Sequence, residues 1–163
     1  AEMTERTRLQ LLIVGGDDRS EHEVARLHKV AQSAGVVEHI RFVGAVLHED
    51  LNTYYNAADV VVVPSFYESF GLVAVEAMAS GVPVVASRVG GLASTIIDGR
   101  CGYLIPWRCP GPFAEKLDLL LENRSLRDAL GTAAAISMEH YEWFAVAQSL
   151  SSIYEALIPE RVD

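Results

Sequence analysis

The chain has 163 residues, half of them hydrophobic, and a formal net charge of −9 from 13 lysines and arginines against 22 aspartates and glutamates. That length suits one domain with a full core, the hydrophobic share excludes disorder, and the acidic balance argues against a nucleic-acid partner. No apolar run reaches a membrane span and the opening AEMTERTRLQ lacks a signal-peptide pattern, so a cytoplasmic protein is expected, with peripheral membrane association of a longer form still open.

The first three residues read as the end of a helix, because nothing caps them, and an upstream strand–helix unit is expected before them. Residues 9–14 (LQLLIV) form a continuous apolar run that predicts a buried parallel strand, closed by Gly15 and Gly16. Residues 20–34 place Val24, Leu27 and Ala31 at helical spacing, and Gly35 suits the helix end. A short strand is predicted over 40–43, stopped by Gly44. A helix follows over 48–57, with Leu51, Tyr54 and Tyr55 on one face. Four consecutive valines, 60–63, predict a central strand buried on both faces.

A helix over 71–80, ended by Gly81, leads through Pro83 to a strand over 84–86. Gly90-Gly91 and Asp98-Gly99 are turns around a short helix at 92–97, and 102–105 is a last strand. Helices are expected from Pro112, as a first helical residue, over 125–138, and over 142–157. The last carries Trp143, Val146, Leu150, Ile153, Tyr154 and Leu157 on one face. Strands alternating with helices, then a helical tail, predict an α/β domain: a doubly wound parallel sheet with helices on both faces.

Ligands of such sheets bind outside the carboxyl ends of the strands, which directs attention to Glu68 and Glu76, eight positions apart around the junction of the valine strand and the next helix. Gly71 opens that helix and lets a ligand approach the backbone. The first amides of the helix and its dipole favour an anion there, without the cations that this acidic chain is short of. Carboxylates would repel a phosphate but accept charge-assisted hydrogen bonds from hydroxyl groups. Two such acceptors around an amide-lined anion site suit a nucleotide sugar: ribose, diphosphate, sugar. The plainer alternative is structural. Ser65 to Glu68 fits a capping box, and Glu76 fits a solvated helix residue.

Other residues carry weaker signals. Gly15-Gly16-Asp17-Asp18 matches no phosphate-loop pattern and is read as a turn. Arg88 and His48 are read as surface residues, His28 as structural, and Trp107, Trp143 and Met78 as packing. Tyr67 is placed either against the donor pocket or merely over its loop. Cys101 and Cys109, with five scattered histidines, are read as packing thiols in a reducing compartment rather than metal ligands.

The run PSFYESFGLVAVEAMASGVPVVASRVGG resembles the C-terminal domain of retaining glycosyltransferases of family four, through Pro64, Ser65, Glu68, Phe70, Gly71, Leu72 and Glu76. Phe42 with Gly44, then Tyr55, Ala58 and Asp59, the turns Gly90-Gly91 and Asp98-Gly99, and residues 141–143 extend the likeness over most of the chain. The resemblance implies one half of a two-domain GT-B architecture, residues 1–163 being a single donor-binding domain truncated at its N-terminus and separated from an acceptor domain.

It further implies that Glu68, as the catalytic residue, contacts the donor sugar. Ser69, Phe70, Gly71 and Leu72 would surround sugar and diphosphate, Glu76 would hold the ribose hydroxyls, and Gly44 and Ala45 would meet the base. The implied reaction is sugar transfer from a nucleoside diphosphate sugar with retention, with neither metal nor cofactor. The family's arginine and lysine that clamp the diphosphate have no counterpart here, so the chain alone is expected to bind nucleotide weakly and to transfer no sugar. A non-catalytic nucleotide-binding module and a sugar-nucleotide epimerase of the same architecture are the competing readings.

Overall fold

The structure, a computed structural model, describes residues 9–16 and 18–158; the expected helix end at the first three residues lies outside them. Five strands, β1 (Leu11–Val14), β2 (Ile40–Gly44), β3 (Val61–Val63), β4 (Val84–Ser87) and β5 (Gly102–Ile105), alternate with seven α-helices. The helices are α1 (Glu21–Ser33), α2 (Leu51–Ala57), α3 (Leu72–Ala79), α4 (Leu92–Thr95), α5 (Pro110–Glu122), α6 (Arg124–Met138) and α7 (Trp143–Leu157). All pairing between these strands is parallel, as expected of strands joined by helices.

The α/β class stands, but the described strands form two sheets, β1-β2 and β3-β4-β5. This corrects two expectations of burial. The run at 9–14 was expected inside, yet Leu11 and Leu12 are each 41% exposed, because among the described strands β1 has only β2 as a neighbour. The valine run was expected at the centre, yet β3 is an edge of its sheet and β4 takes the centre. Val63 is buried and Val61 and Val62 are half-buried, whereas every residue of β4 is buried.

The core follows from the alternation of side chains along β4. Val84 and Ala86 join Ala74, Ala77 and Met78 of α3, Leu92, and Ala134 and Met138 of α6. Val85 points into the opposite layer with Ile105, Leu120 and Leu130. Helices therefore lie on both faces of the larger sheet. Small residues let α3 sit close: Ala74, Ala77 and Met78 are fully buried. Met78 is core, as read.

Two helix expectations also change. Helix α5 begins at Pro110, two residues before Pro112, since either proline fits a position that needs no amide hydrogen. Helix α7 forms where periodicity predicts it, but none of its residues is buried. Trp143, read as packing, is 88% exposed.

Candidate functional site

Strand β3 ends at Val63, and residues 64–71 carry the chain from its carboxyl end to α3. No helix starts at Ser65, so the capping-box alternative does not hold in that form. Glu68 nevertheless caps: its Oε1 accepts a hydrogen bond from the Gly71 amide at 3.1 Å. Gly71 is the residue before α3 and has φ +92°, a left-handed conformation that glycine adopts without penalty. A Cβ there would also lie 2.7 Å from Leu92 Cδ2.

The Gly71 carbonyl accepts from the amides of Ala74 and Val75 at 2.9 and 3.1 Å, which opens the helix. The amides of Leu72 and Val73 precede the first intrahelical donors and have no acceptor among the described residues. Both side chains are exposed. The start of α3 thus offers two amides without acceptors, at Leu72 and Val73, while Gly71's amide is already held by Glu68.

A second loop supports the first. The Gly91 amide donates to the Glu68 carbonyl at 3.0 Å. A Cβ on Gly90 would fall 1.8 Å from that carbonyl oxygen, and one on Gly91 would fall 2.5 Å from the Ser69 carbonyl oxygen. Only glycines allow the turn after β4 to lie directly on the backbone of Glu68 and Ser69. Phe70, from the same loop, meets Tyr141 edge-on with ring centroids 5.6 Å apart.

Glu76 is not the solvated residue of the plainer alternative. It is half-buried, and its Oε2 accepts a hydrogen bond from the Tyr55 hydroxyl at 2.8 Å. Burial, then the hydrogen bond to Glu76 and its negative charge, push the Tyr55 phenol well above the ordinary tyrosine range, so the hydroxyl stays a donor. Just after α3 the Ser80 hydroxyl is within reach of two acceptors, the Glu76 carbonyl at 2.8 Å and Asn52 Oδ1 of α2 at 3.2 Å. A cavity of about 230 Å³ borders Tyr55 and Glu76, with His48, Leu51, Asn52 and Ser80 on its wall. A larger one, about 380 Å³, lies at the amino ends of β3 and β4, between Asp59, Arg124 and Arg127. It is at the wrong end of the strands for a parallel-sheet ligand site, and Asp59 and Arg127 are paired there at 3.0 Å.

The remaining expected residues fall as follows. Gly44 and Ala45 lie at the carboxyl end of β2, in the other sheet from Glu68. The Gly44 carbonyl accepts from the Gly15 amide at 2.8 Å, and Gly15 and Gly16 have φ +115° and +103°. Arg88 pairs with Asp98 at 2.5 Å, a surface arginine as read. His28 stacks on Phe42 at 4.2 Å. Trp107, read as packing, is 49% exposed; it meets the exposed Phe66 edge-on at 6.1 Å, under the Arg108 guanidinium. Tyr67 is exposed. Cys101 is buried and Cys109 half-buried, both as free thiols. Sequence reasoning missed Tyr55 as the partner of Glu76, because its place beside Leu51 on an apolar helix face read as packing. It also read Gly90-Gly91 as a bare turn.

Residues 1–136 match the protein family described as Glycosyl transferases group 1. D-inositol 3-phosphate glycosyltransferase of Corynebacterium diphtheriae is 40% identical over 157 residues, covering 94% of this chain and 37% of that protein. Sucrose-phosphate synthase from Thermosynechococcus elongatus is similar in structure with a TM-score of 0.82 and 38% identity, over 91% of this chain and 38% of that one. The Anabaena protein HepE, solved in complex with UDP, gives a TM-score of 0.84 at 24% identity, over 92% of this chain and 42% of its own, a likeness of fold. The chain thus spans well under half the length of these proteins. Its α/β, Rossmann-like architecture is that of GT-B enzymes, and the chain belongs to the glycosyl transferases group 1 family.

Proposed function

We propose that this chain is the donor-binding domain of a glycosyltransferase that moves a sugar from a nucleoside diphosphate sugar to an acceptor with retention of configuration. The observation that carries this reading is the start of α3: two amides without acceptors, at Leu72 and Val73, between two carboxylates, each tied to the protein through one oxygen. The diphosphate takes the amides, Glu76 accepts from the ribose hydroxyls, and Glu68 accepts from hydroxyls of the donor sugar. To reach them Glu68 gives up its bond to the Gly71 amide, which then becomes a third donor for phosphate. Gly44 and Ala45 face the base.

In the transfer step the bond between the anomeric carbon and the diphosphate oxygen breaks and its electron pair leaves with that oxygen, while the acceptor's hydroxyl oxygen bonds to the anomeric carbon from the same face and its proton passes to the departing diphosphate. The new negative charge is met by fixed amides and the positive end of a helix. No nearby cation of this chain is assigned to that charge, since Arg88 is paired with Asp98. Acceptor-binding groups, and any cations that clamp the diphosphate, belong in this reading to the part of the relatives' length that the chain does not span. The chain alone therefore binds nucleotide weakly and transfers no sugar. The enzyme works in the cytoplasm and needs neither metal nor cofactor.

Titration with UDP, ADP and GDP, followed by amide chemical shifts, tests the reading. The expected result is a perturbation at Gly71, Leu72, Val73 and Glu76 with one of the three. Glu76→Ala should weaken that binding by about 1.5–3 kcal/mol at most, the size of a hydrogen bond to a charged group. No perturbation at millimolar nucleotide would sink the site. Sugar transfer by the chain alone would overturn the division of labour.

A further inference from the structure

We propose that Tyr55 is a positioning residue for Glu76: its hydroxyl holds one carboxylate oxygen so that the other is presented to the hydroxyls of the ligand. The inference rests on the assignment of Glu76 to ribose.

The geometry makes Tyr55 the fixed member of the pair. It is 9% exposed and belongs to the main buried core, with Val63, Ala74, Ala77 and Met78. A packed ring with two side-chain torsions puts its hydroxyl at one place. A glutamate has three torsions and adapts to it. Oε2 of Glu76 accepts from that hydroxyl at 2.8 Å, and Oε1 has no hydrogen-bond partner among the described residues. A free carboxylate would sample several rotamers, and ordering it on binding would cost affinity. The tyrosine removes that cost beforehand.

The helices are set for this task. Asn52 and Tyr55 are three apart on α2 and share a face of it, and Ser80, the residue after α3, lies four beyond Glu76. The Tyr55–Glu76 bond, 2.8 Å, is the rung between the helices, and the Ser80 hydroxyl, which bonds the Glu76 carbonyl at 2.8 Å, lies 3.2 Å from Asn52 Oδ1 beside it. The bordering cavity leaves the carboxylate reachable by a solute rather than sealed in the core. A hydroxyl serving only itself would need any acceptor; this one is given the carboxylate that the ligand is to use.

The test measures how far the protein prefers a nucleotide over its form without ribose hydroxyls. Whichever of UDP, ADP and GDP binds best is compared with its 2′,3′-dideoxy analogue, by calorimetric or shift titration, in the unsubstituted protein, Glu76→Ala and Tyr55→Phe. The unsubstituted protein is expected to prefer the hydroxylated form by about tenfold or more. Glu76→Ala should abolish the preference. Tyr55→Phe, which keeps the packed ring, should reduce it about threefold or more while leaving affinity for the dideoxy form unchanged. A double substitution should add nothing to Glu76→Ala.

Failure of the nucleotides to bind, or no preference in the unsubstituted protein, overturns the ribose assignment and this inference with it. Loss of preference in Glu76→Ala but full preference in Tyr55→Phe overturns the inference alone. So does an equal loss for both ligands in Tyr55→Phe, the mark of a merely structural tyrosine.

Discussion

Glu68 is held at both ends of its residue: the carbonyl by the Gly91 amide and the carboxylate by the Gly71 amide. Gly90 is therefore the residue through which the loop can be tested. A methyl group there would sit 1.8 Å from the Glu68 carbonyl oxygen, at a residue with φ +45°. Gly90→Ala is expected to push the Glu68 loop away, to cost about 1–3 kcal/mol, and to abolish nucleotide-induced shifts at Gly71 and Leu72. Gly99→Ala is the control: φ is +75°, but no atom lies within 4 Å, so only the backbone strain of about 1 kcal/mol remains. Urea midpoints of the two variants decide; equal losses would mean that the contact does not support the loop. Tyr55 gives a second prediction. Its phenol is held above the ordinary range by burial and by Glu76, so in the folded protein it resists ionisation while the unfolded chain ionises from about pH 10. Stability is independent of this group below that pH and falls as pH rises above it. The stability advantage of the unsubstituted protein over Tyr55→Phe should therefore shrink between pH 9 and 11, read as urea midpoints; a constant advantage would contradict it. Neither contact was legible in the sequence. The glycine pair read correctly as a turn, but its target is 22 residues back, and Tyr55 lies 21 residues from Glu76.

Elements were more legible than contacts, because each is written in a local pattern. The strand at 102–105 matches its expected ends, and α3 falls within one residue of them at each end, since Gly71, Gly81 and Gly102 punctuate the chain where the backbone turns or packs closely. Patterns that admit two solutions were less decisive: Pro110 and Pro112 both suit the first turn of a helix, and α5 uses the earlier one. Gly131 shows local preference and packing in conflict. Within α6 an alanine would raise helix propensity by about 1 kcal/mol. Its Cβ, however, would lie 2.1 Å from the Gly81 carbonyl oxygen and 3.1 Å from that carbonyl carbon, backbone atoms that no side-chain rotation can clear. Packing wins by this comparison, and Gly131→Ala is expected to destabilise by about 1–3 kcal/mol. A raised denaturation midpoint would show that α6 can slide off the turn before β4 at no cost.

At the scale of the whole molecule, what the sequence could not reveal is which apolar faces are covered. The run at 9–14, the valine run and the stripe on α7 all carry the composition of buried elements. Yet Leu11 and Leu12 are 41% exposed, β3 is an edge among the described strands, and no residue of α7 is fully buried. Hydrophobic periodicity reports the face that can be buried, and a neighbour decides whether it is. The fold's stability should accordingly come from two layers around β4, not from the helical tail. Ending the chain after Glu142 removes α7 and its exposed Trp143, Phe144, Leu150, Ile153, Tyr154 and Leu157. No residue of α7 is more than half-buried, so little apolar surface leaves water when it folds, and the truncation is expected to change unfolding free energy by less than about 1 kcal/mol. Leu120→Ala is the counterpart in the layer that Val85 enters: Leu120 is fully buried, and its loss should cost about 2–5 kcal/mol, the transfer term plus the cavity left behind. Urea denaturation of both variants separates the two accounts. A truncation as costly as the leucine substitution would mean that α7 closes over the core in solution, and that its apolar stripe is part of the fold after all.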